Sequence, residues 1–223
     1  MADCRKADHC TADKRGKKMA YFPMFINLEG EPCLIVGGGK IALRKVQVLR
    51  DFGARVTVAA PEILEEIKKA DGVVCLCQEY SEELLNGMKL VVAATADAGK
   101  NRDISKKCKE LGIPVNAVDQ MEDCTFIFPS YIRSQDLVAA FSSSGKSPLM
   151  TQYLKSQIEP SMTSFTGELT EYLGGIRTEV KAKVETESLR KKVYQRVLDY
   201  AMEHENLPDP DELERMLKAV TGF

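Results

Sequence analysis

The stretch Cys33-Leu34-Ile35-Val36-Gly37-Gly38-Gly39-Lys40-Ile41-Ala42 decides the fold. Its first four residues are a continuous apolar run, the pattern of a parallel strand covered on both faces. The next six fit G-x-G-x-x-[GA], with Ala42 in the last small position. Ile41, Ala42, Val46, Leu49 and Phe52 then recur near the helical period, and Gly53 stands where a helix-terminating glycine belongs. In this strand–turn–helix setting Gly37 permits the tight turn and Gly39 leaves room for backbone to approach a pyrophosphate. Ala42 lets the helix pack closely on the strand. The helix N-terminus offers free N–H groups and the positive end of its dipole to phosphates. A ligand-free glycine turn is the competing explanation, and the surrounding pattern weighs against it.

Outward from this motif, apolar strand runs alternate with helical segments. Strands are expected at 55–59, 73–77, 90–94 and 114–118. Helices are expected from Pro61, over 81–86 and over 98–111. Strict alternation implies right-handed βαβ units and a Rossmann-like, doubly wound parallel α/β sheet. The dinucleotide-binding domain is expected over 19–120. Beyond Asp119 the pattern changes. Two strands are expected at 125–128 and 137–141, then a helix from Ser147 with Leu149, Met150, Tyr153, Leu154 and Ile158 on one side. Residues 121–160 are read as a dimerisation segment and 161–223 as a helical C-terminal domain. Its breaks are expected at Gly174-Gly175 and Pro208-Asp209-Pro210. Residues 1–18 are polar and basic and are expected to be a disordered leader, with Met19 as an alternative start.

Composition bounds the function. The chain has 223 residues, 44% hydrophobic and 29% charged, with a net charge of −2. That charge balance argues against a protein built to coat nucleic acid. No apolar window approaches a membrane span, and the N-terminus lacks a signal-peptide core. Seven scattered cysteines, an odd number, argue for a reducing cytoplasm rather than a disulfide framework. Cys4, His9 and Cys10 lack a fourth ligand and paired spacing, so no metal site is expected.

The ends of the strands carry the candidate chemistry, because ligands of such sheets bind beyond the carboxyl ends. An acidic residue usually closes the second strand and holds the adenine ribose. Here Ala59-Ala60-Pro61-Glu62 puts Glu62 slightly late, with no Arg to receive a 2′-phosphate, which favours NAD over NADP. Thr95, Ala96 and Asp97 follow the fourth strand. Asn116 and Asp119 stand at the end of the fifth. A carboxylate at Asp119 has two readings of equal weight, a general base beside a hydride acceptor or a turn residue. Gly145-Lys146-Ser147 lacks the first glycine of a phosphate loop, and no Tyr is followed four residues later by Lys. Neither His9 nor His204 stands near a strand end.

Several blocks together are similar to the precorrin-2 dehydrogenase / sirohydrochlorin ferrochelatase family, the siroheme synthase module. They are Pro23-Met24-Phe25, Cys33 to Gly39 and Ala42-Leu43-Arg44-Lys45, then Ala93-Ala94-Thr95-Ala96-Asp97 and Asn101-Arg102. Val115-Asn116-Ala117-Val118-Asp119, Phe126 to Ser130 and Ser142 to Pro148 complete the set. The resemblance covers about residues 21–160. It implies NAD-dependent oxidation of precorrin-2 to sirohydrochlorin, with hydride passing to the nicotinamide and a proton to a base. Some members of the family also insert ferrous iron into the product. Asp119 matches the family's essential aspartate. Lys40, Ile41, Pro61 and Glu62 match positions around its NAD site. Ser143 falls where the family lines its tetrapyrrole pocket, and a homodimer forms through the segment after the nucleotide fold.

The substrate carries eight carboxylates, so cations and hydroxyls are expected around it, from Arg133, Lys146, Lys155 and Ser142 to Ser144. The chain is too short for the methyltransferase module fused in some members, so a separate source of precorrin-2 is expected. The alternative is a module that senses NAD or NADH without turnover.

Overall fold

The computed structural model describes residues 21–222. The expected leader and the Cys4–His9–Cys10 grouping lie outside the described residues. The chain divides into two compact units between Phe128 and Pro129.

In the first unit, β1 (Pro32–Val36), β2 (Arg55–Ala59), β3 (Val73–Leu76), β4 (Leu90–Ala93) and β5 (Val115–Ala117) form one parallel sheet ordered β3-β2-β1-β4-β5. This is the Rossmann-like architecture expected from the sequence. Alternate residues of β1 serve the two faces. Cys33 and Ile35 pack with Ala42, Val46 and Leu49 of α1 (Lys40–Asp51) and with Ile67 of α2 (Glu65–Lys68). Leu34 and Val36 pack on the other face with Leu85 and with Ile104 and Cys108 of α3 (Ala98–Glu110). Both faces are thus covered, which is why the strand runs read as uninterrupted apolar sequence.

Two expectations in this unit need correction. No helix starts at Pro61; α2 begins only at Glu65. The intervening chain is held against the glycine turn, where Leu64 N donates to Gly38 O at 3.0 Å. The 125–128 segment is not a strand. Thr125 docks on β5 by donating its N–H to Val115 O and accepting from Val115 N through Oγ1, each at 2.8 Å. Phe126 and Phe128 then pack into the core under α1. The Thr125 hydroxyl thus takes a place on the edge of β5, and no strand forms at 125–128.

The second unit opens with an antiparallel hairpin, β6 (Ser130–Ser134) and β7 (Leu137–Phe141). It continues as α4 (Pro148–Ile158), α5 (Ser164–Gly175), α6 (Arg177–Lys183), α7 (Glu187–His204) and α8 (Pro210–Thr221). Ile176, Val180, Val184, Val193, Val197, Leu213, Met216 and Leu217 form its core. The expected break at Gly174-Gly175 is present: α5 ends at Gly175, and Ile176 forms the turn before α6 begins at Arg177. A further break, not expected, falls at the buried Val184, and Thr186 caps α7 by accepting from Leu189 N. The expected break at Pro208-Asp209-Pro210 is present, with Asp209 accepting from Glu212 N at 2.8 Å. Among the described residues no helix is long and apolar enough to cross a membrane.

Burial pushes the thiols of Cys33 and Cys108 up to about 11. Roughly a thousandth of each is then thiolate at pH 8. Cys77 is exposed. Iodoacetamide at pH 8, with peptide mapping of the folded protein, is expected to modify Cys77 at least about tenfold faster than Cys33 or Cys108. Comparable rates would contradict the packing described.

Candidate dinucleotide site and the β5 turn

A cleft of about 920 Å³ opens at the carboxyl ends of β1 and β4, where the strand order reverses. That is the crevice in which sheets of this type hold ligands, and the volume suits a large small-molecule ligand. All seven residues singled out around the cofactor line it: Gly37, Gly39, Lys40, Ile41, Pro61, Glu62 and Thr95.

The glycines do different work. Gly37 has φ +128°, and a Cβ there would lie 2.2 Å from Ala94 O. A Cβ at Gly38 would lie 2.1 Å from Glu62 O. These two residues let the turn pass between the loops that come after β4 and β2. Around Gly39 no protein atom lies within 4 Å of where a Cβ would stand, so its missing side chain leaves space in the cleft itself. Gly39 is also the N-cap of α1. It supplies no side-chain cap, and the first turn carries no acidic residue. The helix therefore presents N–H groups and an uncompensated positive end to the cleft, an arrangement that fits a pyrophosphate. Gly38 had no assigned role in the sequence; the run of three glycines was its only signal.

Across the cleft, Thr95 is fixed by a buried amide. Asn101 Oδ1 accepts from Thr95 N at 3.0 Å, and its Nδ2 donates to Thr95 O at 3.1 Å. Asp97 caps α3, accepting from Gly99 N at 2.7 Å and Lys100 N at 3.1 Å. Asp97 is therefore a helix cap, and Asn101 is the residue that shapes the loop. Lys100 is paired with Glu79 at 3.1 Å. Glu62 and Glu79 put carboxylates among the lining groups, which suits ribose hydroxyls better than a 2′-phosphate.

Asp119 lies two residues beyond the end of β5, on an exposed turn closed by Gln120 N donating to Ala117 O at 3.3 Å. Its φ is +60°, a left-handed conformation that Asp tolerates at some cost. The turn is braced from below by Cys124, whose Sγ donates to Ala117 O or Gln120 O and accepts from Ala117 N, all at 3.2 Å. Asn116 is buried, and its Nδ2 donates to Phe126 O at 3.1 Å. Its amide N–H is thus already committed to holding the chain after β5. Beside this turn, Lys45 Nζ sits 3.7 Å from the centroid of the Phe128 ring, and burial lowers its pKa.

In the second unit, Ser143 and Lys146 stand in the loop between β7 and α4. Ser143 Oγ accepts from Ser147 N at 2.9 Å, and Lys146 N donates to Ser143 O at 3.1 Å. Ser144 and Gly145 both have positive φ, and Ser147 caps α4 by accepting from Met150 N at 3.2 Å. The loop is therefore organised by its own hydroxyls, with Lys146 exposed.

Comparison with known proteins gives a consistent result. A family model described as NAD(P)-binding matches residues 24–130. The chain is 40% identical over 184 residues to a siroheme synthase from Thioalkalivibrio sulfidiphilus, an alignment covering 81% of this chain and 38% of that protein. It is 36% identical over 209 residues to a siroheme synthase from Methylobacillus flagellatus, covering 92% of this chain and 45% of that protein. The chain thus spans less than half the length of these curated relatives. Among solved structures, SirC, a precorrin-2 dehydrogenase, superposes with a TM-score of 0.64 at 22% identity, covering 91% of this chain and all of that one. This last is a likeness of fold.

The two glycine environments predict opposite behaviour. Gly38→Ala is expected to lower stability by about 3 kcal/mol or more, since backbone must move. Gly39→Ala is expected to leave the melting temperature within a few degrees and to weaken NAD⁺ binding at least about tenfold, because the new methyl enters the ligand's space. Thermal denaturation and calorimetric titration check both.

Proposed function

We propose that this chain is an NAD-dependent precorrin-2 dehydrogenase of siroheme formation. The observation that carries the reading is the arrangement at the end of the sheet. A dinucleotide cleft opens at the β1/β4 switch point, and a carboxylate, Asp119, is presented on the turn after the adjacent strand β5.

The reaction balances as precorrin-2 plus NAD⁺ giving sirohydrochlorin, NADH and one proton. NAD⁺, when bound, supplies the hydride acceptor. In this reading the N-terminus of α1 and Gly39 hold the pyrophosphate, Glu62 takes the adenine ribose, and Thr95 lines the wall near the nicotinamide half. Asp119 accepts the proton lost from the macrocycle. Its carboxylate is exposed on the turn, open to a ligand and to solvent. Ser143 and Lys146 are the candidate substrate contacts, and Asn116 acts only indirectly, by holding the chain after β5. The hydroxyls of Ser142 to Ser144 and the cation of Lys146 answer the carboxylates of the tetrapyrrole. Ferrous iron enters only as the substrate of a second step, insertion into sirohydrochlorin, for which Asp119 is the candidate proton acceptor.

The proposal includes a homodimer formed through 121–160 and a cytoplasmic location. Support for the dimer comes from α4, which has no buried residue and leaves Leu149 77%, Tyr153 54% and Leu154 40% exposed in the single chain. An apolar stripe of that size on an isolated chain is best explained by a partner surface. The five described cysteines are all unpaired, as in a reducing compartment.

The direct test is anaerobic. Protein, enzymatically generated precorrin-2 and NAD⁺ are expected to yield NADH and the sirohydrochlorin spectrum in step; binding of NAD⁺ without NADH would instead favour a sensing module. Protein-dependent loss of the metal-free spectrum on adding ferrous ion reads the second step. Asp119→Asn keeps a residue that tolerates positive φ. It is expected to lower kcat at least about 100-fold, with the melting temperature unchanged within a few degrees and the Kd for NAD⁺ within about threefold. Retained turnover would remove Asp119 from its proposed role. Leu149→Glu combined with Leu154→Glu is expected to give a monomer by light scattering.

A further inference from the structure

Gln120, the neighbour of Asp119, is 8% exposed and takes no part in the proposed hydride and proton transfers. Its Nε2 donates to Ala98 O at 2.9 Å. Its backbone N–H closes the turn that carries Asp119. Its Oε1 is buried and lacks any hydrogen-bond partner among the described residues. An unpaired buried acceptor forfeits the hydrogen bonds it makes with water in the unfolded chain. The left-handed conformation of Asp119 adds a further cost. A glycine in place of one and an apolar side chain in place of the other would relieve both costs, so two consecutive residues hold the turn in a conformation that stability alone does not favour.

The far end of the Gln120 bond identifies what the turn is tied to. Ala98 is the first residue of α3, directly after the cap Asp97. Asp97 N donates to Thr95 Oγ1 at 3.2 Å, and Asn101 of the same helix clamps the backbone of Thr95 on both sides. Thr95 and Asp97 line the dinucleotide cleft. A continuous set of hydrogen bonds therefore runs from the cleft wall, through the first turn of α3, to Gln120 and the turn bearing Asp119.

We propose that Gln120 is a positioning residue for Asp119, coupling occupancy of the dinucleotide cleft to the placement of the carboxylate. The proposal rests on the reading of Asp119 as proton acceptor. Its physical basis is that a ligand seated against Thr95 and Asp97 restrains the start of α3. The Ala98 carbonyl then holds the amide of Gln120, and with it the turn. The dinucleotide would thus order the base before the tetrapyrrole reacts.

The test uses the full chain and NAD⁺ as probe. In the parent protein, NAD⁺ is expected to shift the backbone amide resonances of both 37–42 and 118–120. In Gln120→Met, which keeps the volume and removes the amide, the 37–42 shifts are expected to persist and the 118–120 shifts to fall by more than half. With precorrin-2, kcat is expected to drop about 10- to 100-fold, while KM and the Kd for NAD⁺ stay within about threefold. If Gln120→Met does not fold, Gln120→Asn, one methylene short of Ala98 O, is subjected to the same measurements. Undiminished 118–120 shifts in the folded variant, or kcat within threefold of the parent, would overturn the proposal. Should the parent itself fail to oxidise precorrin-2, the dehydrogenase reading fails, and the resonance shifts alone decide whether the coupling exists.

Discussion

The structure depends on one close approach. At the end of β1 the backbone passes between Ala94 O and Glu62 O at distances that admit no Cβ on Gly37 or Gly38. Because those carbonyls belong to the loops after β4 and β2, the glycines set how tightly the carboxyl ends of three adjacent strands converge. The cleft exists because the chain must leave β1 here, turn and enter α1, while the strands on either side lead off in opposite directions. The same constraint explains why no helix forms directly after β2: the chain at 61–64 is held against the glycine turn by Leu64 N on Gly38 O.

A second organising feature is how the first unit finishes β5. The strand is only three residues long. The chain beyond it is fastened by side chains rather than by a ladder: Thr125 and Asn116 on the edge of β5, Cys124 under the turn, and Ser105 of α3 on Asp123 O. Arg102 adds an ion pair to Asp123 at 3.2 Å. Backbone polar groups near the end of a buried sheet must be paired. Here small polar side chains pair them and leave an acidic residue in a left-handed turn. The arrangement gives Asp119 a fixed backbone and an exposed carboxylate.

The second unit is built differently. Its helical core closes around valines and leucines of α6, α7 and α8, whereas α4 contributes none of its side chains to a buried core. One end of the unit is thus satisfied within the chain, and the other leaves an apolar stripe outward. The Ser142–Ser147 loop at the head of α4 is held by short hydroxyl bonds in a conformation with two successive positive φ values. That keeps its hydroxyls and Lys146 in a defined place without burying them.

The sequence by itself determined the parallel sheet, the cleft at the glycine turn and the identity of the residues around it. These features come from local rules: apolar runs for buried strands, helical periodicity for α1, and a glycine spacing that only a tight phosphate turn requires. It also marked Asp119, by its place after an apolar strand, while leaving its role open between base and turn. Only the tertiary structure decided the roles that depend on residues distant in the chain. Gly38 is constrained by the Glu62 carbonyl, Asn101 by Thr95, and Gln120 by Ala98, and no local pattern predicts which carbonyl an amide will meet. The misplaced strand at 125–128 and the unexpected break at Val184 have the same origin. Thr125 found β5 through its hydroxyl, and the chain left α6 at Val184 because Val184 had a core to enter. Periodicity is written along the chain, whereas pairing and burial are settled between segments the chain brings together.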